Sequence, residues 1–306
     1  MGKKKITVVG AGRVGSTTAF LAAAKGLGDI VLWNRTEATA KGIALDISHS
    51  LPVEKRDVKM IGTGNYAEIK NSDIVVITAG AQRTAEMTRE QLLEINASIV
   101  REIAQQVKQH VPNSVLIVVT NPLDAMVAVA AKETGFPKNR VIGMAGILDS
   151  ARFAYFISEA LNVPVSKVSA MVLGSHGEAM VPIPSHSGVK GKSISRLLAK
   201  QKIDEIVQRT INAGAEIIKL QESSAYYAPA ASIVQMIEAI LQNKKQELPV
   251  TTFLNGEYGI KGIFGVPAII GKNGVEKIVV HKFSEEEKQQ LLSAAEKIKV
   301  MAGKVA

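Results

Sequence analysis

The chain has 306 residues, of which 46% are hydrophobic and 21% are charged, a balance that excludes a disordered chain and favours a folded protein of two domains. The formal net charge is +9, but lysine and arginine are scattered and only 4% of residues are aromatic, which excludes nucleic acid as the expected partner. Cysteine is absent, so disulfides, thiolate metal sites and a cysteine nucleophile are excluded, and no metal is expected.

The N-terminal residues superficially imitate a secretory signal, because lysines at positions 3–5 precede an apolar run. Glycines at positions 10, 12 and 15 interrupt that run. No stretch of the chain reaches the ~20 consecutive apolar residues that a membrane helix needs. We therefore expect a cytoplasmic protein without a membrane partner.

The first half of the chain alternates short apolar runs with longer amphipathic segments. Short runs rich in valine and isoleucine predict strands buried on both faces, and the spacing of residues 89–110 predicts a helix. Strands that alternate with helices predict a doubly wound parallel sheet over residues 1–143. The predicted strands are residues 6–9, 30–33, 58–61, 74–78 and 115–119.

The rhythm changes after residue 143, where a second domain of α+β type is predicted over residues 144–306. Helical patterns cover residues 149–161, 202–221 and 232–242, and strand-like runs cover 167–173, 250–254 and 277–280. The turn signals Asn255-Gly256 and Asn273-Gly274 predict an antiparallel sheet. Ser284 and Glu287 have the spacing of a capping box and predict the start of a final helix over residues 284–300.

A glycine-rich turn lies directly after the first predicted strand and before a helical pattern. Gly10 allows a tight turn, Gly12 leaves room for a pyrophosphate, and Gly15 lets the helix pack closely on the strand. Three glycines alone also fit an ordinary turn, but the preceding strand and the βαβ pattern favour a Rossmann-type dinucleotide site. The residues expected to bind the dinucleotide here are Gly10, Ala11, Gly12, Arg13, Val14 and Gly15.

His176 lies between small residues at the end of a strand-like run, where it can face a cleft and accept a proton near neutral pH. A lone histidine can equally be structural. Asp149 and Arg152 are three positions apart and share a helix face. They form either a cap with a surface ion pair, or a carboxylate that orients His176 beside a guanidinium that binds a substrate carboxylate.

Two further segments follow predicted strands at their carboxyl ends, where open α/β sheets bind ligands. Arg83 and Arg89 lie on the loop after residues 74–78. Surface arginines are common, so a solvated loop is the alternative. Asn121, which precedes Pro122 after residues 115–119, fits either a turn or a ligand contact.

Seven stretches, in this order and over essentially the whole chain, closely resemble the lactate and malate dehydrogenase family, in particular its malate dehydrogenases of archaeal type. A resemblance spread over all seven is highly specific. The stretches are GAGRVG from Gly10, ALDISHS from Ala44, AGAQRTAEMTR from Ala79, TNPLDAM from Thr120, AGILDSARF from Ala145, VLGSHGEAMVP from Val172 and SSAYYAPAAS from Ser223.

The resemblance implies a malate dehydrogenase that uses a nicotinamide dinucleotide. By this resemblance His176 is the general base in malate oxidation, and Asp149 orients the imidazole and balances its charge. Arg152 holds the carboxylate next to the reacting carbon, and Arg89 polarises the carbonyl oxygen from a mobile lid. Asn121 contacts the substrate oxygen.

Three further roles follow from the resemblance. The backbone near Val119, together with Asn96 and Asn121, helps to hold the cofactor. Arg83 occupies the position that selects the far end of the substrate, where an arginine matches the second carboxylate of a dicarboxylate and lactate enzymes have an uncharged residue. A homodimer or homotetramer is expected, as is the habit of the family.

The chain also departs from the family pattern. Asn34 and Arg35 replace the acidic residue that normally binds the adenine ribose at the end of the second strand, which favours NADP over NAD while leaving dual use open. In the lid, Thr84-Ala85-Glu86 replaces the usual Lys-Pro-Gly, with the loss of a stiff proline and a flexible glycine.

Two alternative functions stay open beside malate oxidation. One is a dehydrogenase for lactate or another 2-hydroxy acid, which Arg83 disfavours because a buried arginine facing a methyl group would lack a partner. The other is a non-catalytic NADPH-binding protein, which would need the glycine loop but not His176, Asp149 and Arg152 together.

Overall fold

The computed structural model describes residues 3–82, 87–177 and 179–305, and it folds as an α/β protein. The strands are β1 (Lys5–Val9), β2 (Asp29–Trp33), β3 (Met60–Thr63), β4 (Ile74–Ile77), β5 (Val115–Val118), β6 (Val141–Gly143), β7 (Val168–Ser169), β8 (Val172–Gly174), β9 (Met180–Pro182), β10 (Gly188–Val189), β11 (Lys192–Ser193), β12 (Gln246–Asn255), β13 (Lys261–Gly271) and β14 (Gly274–Ile278). The helices are α1 (Arg13–Ala24), α2 (Glu37–Glu54), α3 (Arg89–His110), α4 (Leu123–Thr134), α5 (Gly146–Leu161), α6 (Lys200–Gln221), α7 (Tyr227–Leu241) and α8 (Glu285–Gly303).

The main sheet, within the part of the chain that the structure describes, has nine strands in the order β14-β13-β12-β6-β5-β4-β1-β2-β3. The strands from β6 to β3 are parallel, and β12, β13 and β14 extend the sheet in antiparallel fashion. Thr251 of β12 pairs with Gly143 of β6. The sheet therefore continues across the boundary that the sequence predicts after residue 143.

Helices cover both faces of the parallel strands, which confirms the predicted doubly wound, Rossmann-type sheet. On one face Ala19 of α1, Ile47 of α2 and Ile237 of α7 belong to the same hydrophobic core as Ile6 and Val8 of β1. On the other face α3 and α4 pack against the alternate strand residues, including Val9 and Val75. Among the described residues, none of the helices combines the length and apolar character needed to cross a membrane.

The predicted elements agree with the structure where the local signals are strong. The helix predicted at residues 89–110 has those bounds, and Ser284 and Glu287 form the expected capping box at the start of α8. The third strand lies two residues later than predicted, at Met60–Thr63. The single strand predicted at residues 167–173 is two short strands, β7 and β8, which pair with different partners.

Candidate active site

The glycine-rich turn joins β1 to α1 at the carboxyl edge of the sheet. Gly10 has φ +112°, and a Cβ there would lie 2.7 Å from the backbone nitrogen of Ala79. A Cβ on Gly15 would lie 1.9 Å from the carbonyl oxygen of Gly10. Both positions therefore require glycine because of contacts within the protein itself.

Gly12 differs, because a Cβ built on it would meet no protein atom within 4 Å. It is the N-cap of α1, no side chain caps this end of the helix, and the first turn has no acidic residue. The first amide groups of α1 are thus left for a group from outside, and the positive end of the helix dipole favours an anion. The turn fits the pyrophosphate of a dinucleotide.

The other residues of the turn divide between the protein core and its surface. Val14 packs against the core beneath the turn, and Ala11 is buried. Arg13 is exposed, its guanidinium donates to the Ser223 hydroxyl, and it lies 5.6 Å from the centre of the Tyr226 ring. The side chain of Arg13 therefore reaches the segment between α6 and α7.

Asn34 follows β2 and lies beside the glycine turn. Its Oδ1 accepts a hydrogen bond of 3.3 Å from the backbone of Ala11, and its Nδ2 donates to the carbonyl of Thr36 at 3.2 Å. Arg35 is exposed, and its side chain makes no hydrogen bond or ion pair with the described residues. A neutral amide and a solvated cation thus occupy the position where a ribose-binding carboxylate is usual.

His176, Asp149 and Arg152 come together as the sequence predicts. His176 Nδ1 lies 2.9 Å from Asp149 Oδ2, and Arg152 donates to Asp149 Oδ1 at 3.4 Å. Asp149 is only 1% exposed, whereas the imidazole remains partly open to solvent. The charge of Asp149 raises the pKa of His176 above its ordinary value, against the opposing effect of burial. The pair therefore favours an imidazolium that is partly open to solvent.

Arg152 has an unusual buried donor. Its Nε is buried and has no hydrogen-bond partner among the described residues, although another guanidinium nitrogen is bonded to Asp149. Buried polar groups are almost always paired. An orphaned guanidinium nitrogen beside a bonded histidine and aspartate is the arrangement expected where a bound carboxylate supplies the missing acceptor.

The fold fixes these groups on two rigid elements. Asp149 and Arg152 belong to the first turns of α5, and His176 lies in the turn between β8 and β9. The Ser150 hydroxyl accepts a hydrogen bond of 2.8 Å from the Val172 amide, which ties the helix to the hairpin. Gly177 has φ +111° and permits the sharp return of the chain.

Asn96 ties together the two loops at this edge of the sheet. It is 1% exposed, its Oδ1 accepts from the Ala81 amide at 2.7 Å, and its Nδ2 donates to the Asn121 carbonyl at 2.7 Å. The Asn121 residue itself is exposed, and Val119 is half-buried with its amide bonded to the Ile77 carbonyl. The structure thus places Asn96 as a support for the loops, and a direct cofactor contact stays a prediction.

Of the two predicted lid arginines, the structure describes Arg89 but not Arg83. Arg89 is the exposed first residue of α3, where Thr88 and Gln91 form a capping box that fixes the start of the helix. Arg83 and the substituted lid residues 84–86 lie outside the described residues. The assignments of substrate selection and lid movement therefore stay predictions.

Sequence reasoning missed one buried group at the site, the carboxylate of Asp124 in the first turn of α4. It accepts hydrogen bonds from the hydroxyls of Ser175 and Thr251. Burial raises the pKa of Asp124 to about 6, and these hydrogen bonds oppose the increase. The only sequence signal was its place in the TNPLDAM stretch, because contacts between residues so far apart leave no local pattern.

Comparisons with known proteins agree with this geometry. A family model described as lactate/malate dehydrogenase, NAD binding domain, matches residues 4–143, and its alpha/beta C-terminal domain matches residues 147–305. The malate dehydrogenase of Heliobacterium modesticaldum is 48% identical over 98% of this chain and 97% of that protein. Malate dehydrogenase of Cryptosporidium parvum has a TM-score of 0.96 and 41% identity over 99% of both chains. The lactate dehydrogenase of the same organism, complexed with lactic acid and nicotinamide adenine dinucleotide, has a TM-score of 0.96 and 40% identity over 100% of this chain and 98% of that chain.

Proposed function

The chain belongs to the lactate/malate dehydrogenase family, and from that premise we propose that it interconverts malate and oxaloacetate with a nicotinamide dinucleotide. The observation that supports this best is the buried Asp149 bonded to both His176 and Arg152 beside an unpaired guanidinium nitrogen. When bound, the dinucleotide accepts or donates the hydride. The residues of the chain supply the cradle, the proton and the carboxylate site.

His176 moves the proton. In malate oxidation its neutral imidazole accepts the hydroxyl proton through the nitrogen that does not face Asp149, and in oxaloacetate reduction the imidazolium returns that proton. Asp149 bonds Nδ1 at 2.9 Å, so it fixes both the tautomer and the direction of the ring. Because the negative charge of Asp149 stabilises the imidazolium, the same contact favours proton uptake as the hydride leaves.

Arg152 orients the substrate. Its unpaired Nε and a neighbouring guanidinium nitrogen form a fork that matches a carboxylate. Binding the carboxylate next to the reacting carbon places the substrate hydroxyl toward the imidazole on the adjacent hairpin turn. Proximity of this kind accounts for a large part of enzymatic rate enhancement.

Malate rather than lactate is the proposed substrate because of Arg83. The TM-score is 0.96 for both a lactate and a malate dehydrogenase, so structural similarity alone does not choose between the substrates, whereas curated malate dehydrogenases 48% identical over 98% of the chain favour malate. A guanidinium at the selector position requires a second carboxylate, and a site of this type can reject an analogue that lacks it by roughly 10⁴-fold.

Steady-state turnover of oxaloacetate and pyruvate, each with NADH and NADPH, tests the proposal. We expect oxaloacetate to be strongly preferred and the Arg83→Gln variant to lose that preference. Arg196→Gln, at an exposed position away from the site, is the matched control. Preference for pyruvate would support the lactate alternative. Turnover of neither substrate, with retained dinucleotide binding, would support the non-catalytic alternative.

We propose further that NADPH is accepted at least as well as NADH. A carboxylate ~4 Å from the 2′-phosphate would cost up to about 4 kcal/mol at an effective dielectric constant of 20, and Asn34 removes that repulsion. Both polar atoms of the Asn34 side chain bond the protein backbone, and the exposed Arg35 adds a positive charge. A lost neutral hydrogen bond to the ribose costs only about 0.5–1.5 kcal/mol.

The double variant Asn34→Asp, Arg35→Ala tests the cofactor proposal. The ratio of kcat/KM for NADPH to that for NADH should fall strongly in the variant. An unchanged ratio would contradict the assignment of these positions to the 2′-group. The single variant Arg35→Ala keeps Asn34 and so measures the attraction of the Arg35 cation for the 2′-phosphate alone. The remaining change in the double variant is the repulsion of that phosphate by the new carboxylate.

A homodimer or homotetramer is the last part of the proposal. Several large apolar side chains remain on the surface of the described protomer: Val53 (81% exposed) and Leu45 (58%) on α2, Leu220 (79%) on α6 and Tyr227 (67%) on α7. Exposed apolar surface of this kind is typical of contacts between subunits. Light scattering coupled to gel filtration should give two or four times the chain mass, and a monomer at micromolar concentration would contradict the proposal.

A further inference from the structure

Asp124 is a buried carboxylate at the site that the proposed proton transfer does not use. It lies in the first turn of α4 and is 3% exposed. The Ser175 hydroxyl donates to Oδ2, and the Thr251 hydroxyl donates to Oδ1 at 3.3 Å. A buried carboxylate is costly even when it is hydrogen-bonded. Its position therefore needs an explanation beyond packing.

The two hydroxyl partners show what Asp124 connects. Ser175 immediately precedes His176 in the turn between β8 and β9. Thr251 is the β12 residue that pairs with β6 and so joins the antiparallel strands to the parallel sheet. One carboxylate thus links α4, the main sheet and the turn that bears the imidazole.

Asp124 also acts on the imidazole through its charge. Asp149 has the largest effect on the pKa of His176 and raises it, burial opposes this, and Arg152 lowers it. Asp124 adds a smaller increase. Among the described residues, the charged groups that act on His176 are two carboxylates and one guanidinium, and of these two carboxylates Asp149 is the one that contacts the ring.

We propose that Asp124 is a positioning residue for proton transfer, which holds the His176 turn through Ser175 and supplies a second negative charge that favours the imidazolium. The kinetic part rests on the proposed function. Position and charge can be separated by substitution. Asp124→Asn keeps the shape and the ability to pair with a hydroxyl but removes the charge, whereas Ser175→Ala removes the link and keeps a carboxyl group that is ionised well above its pKa.

Titration of the His176 imidazole by NMR, together with the pH profile of oxaloacetate reduction, tests both parts. In Asp124→Asn the pKa of His176 should be lower than in the wild type, and the reduction profile should move to lower pH by the same amount. In Ser175→Ala the pKa of His176 should fall less than in Asp124→Asn, but kcat should drop about 10-fold because the donor is misplaced. KM for the dinucleotide should be unchanged in both variants.

Asp73→Asn is the matched control. Asp73 precedes β4 at the opposite end of the sheet, where it bonds Lys4 and the amide of Lys5, so the imidazole titration should not change. An unchanged His176 pKa in Asp124→Asn would overturn the role of its charge. An unchanged kcat in Ser175→Ala would overturn the positioning role, and this variant still decides that point if Asp124→Asn does not fold.

The NMR titration also separates this proposal from the proposed function. If the wild type turned over neither oxaloacetate nor pyruvate, the proposed function would be wrong. The imidazole titration would then still show whether Asp124 acts on His176.

Discussion

Replacing Asp124 with asparagine should stabilise the folded protein at neutral pH even as it impairs proton transfer. Burial raises the pKa of Asp124 from 3.8 to about 6. The folded state therefore holds a proton more tightly than the unfolded state, and wild-type stability is lost as the pH rises between these two values. Well below pH 3.8 the carboxyl group is neutral in both states and contributes no such penalty.

The magnitude follows from the shift of about 2 pH units, at 1.36 kcal/mol per unit. The penalty in the free energy of unfolding is about 3 kcal/mol at pH 7.5 and about 1 kcal/mol at pH 4.5. Asparagine has no charge to bury, so the stability of Asp124→Asn relative to the wild type should increase by about 2 kcal/mol between pH 4.5 and 7.5.

Urea denaturation of both proteins at several pH values measures this difference. The measured quantity is how the difference in the free energy of unfolding between the two proteins changes with pH. Any effect of the amide on packing that does not depend on pH therefore cancels. The Asp73→Asn variant provides a partly exposed carboxylate for comparison. A difference between wild type and Asp124→Asn that is constant from pH 4.5 to 7.5 would refute the reasoning, since Asp124 would then have an ordinary pKa.

Three further predictions concern the cradle, the proton and the carboxylate site. Gly12→Val should raise KM for the dinucleotide at least about 10-fold, or about 1.4 kcal/mol. Without ligand, its midpoint of thermal unfolding should change no more than that of the control Gly42→Val, at an exposed position of a helix. Equal KM values in both variants would place the pyrophosphate elsewhere. His176→Asn should lower kcat by about 10² to 10⁴-fold with dinucleotide binding retained in fluorescence titrations, and wild-type reduction of oxaloacetate should decline as the pH rises through the raised pKa of His176. Arg152→Lys should raise KM for oxaloacetate because one ammonium cannot replace the planar fork, and a wild-type KM would contradict carboxylate binding by Nε.

Much of the parallel sheet could be predicted because its strands are buried on both faces. The runs Ile74–Ile77 and Val115–Val118 are apolar at each position and fully or almost fully buried. Such runs stand out in a sequence without any knowledge of their partners. The start of α3 could be predicted from helical spacing alone, and the structure adds a capping box formed by Thr88 and Gln91 at that point.

The antiparallel extension of the sheet could not be predicted in the same way. β6 has only three residues, and β13 has glycines and a proline that break the alternation expected of a strand. The pairing of Thr251 with Gly143 joins residues that are far apart in the chain. A local pattern holds no information about such a partner, so the turns and an antiparallel sheet could be predicted, but not that this sheet continues the parallel one.

The candidate site, like the sheet, could be predicted only in part from the sequence. The residue types at positions 149, 152 and 176 were identified, and the resemblance to a known family suggested their roles. The physical features that distinguish a ligand site from a surface ion pair are three-dimensional: the 1% exposure of Asp149, and the orphaned Nε of Arg152. Sequence spacing alone left both interpretations open.

Two unfavourable features of the fold lie together at this site. The Nε of Arg152 is buried without a partner, and the carboxylate of Asp124 is buried at the cost of a raised pKa. Either feature alone would destabilise a protein core. Asp124 is linked through Ser175 to the turn of His176, and Arg152 is linked through Asp149 to the same imidazole. Under the proposed function a substrate carboxylate supplies the acceptor that the Nε of Arg152 lacks, so binding relieves the first cost. The buried carboxylate of Asp124 persists in every state, and under the proposed positioning role its cost is that of holding the His176 turn in place.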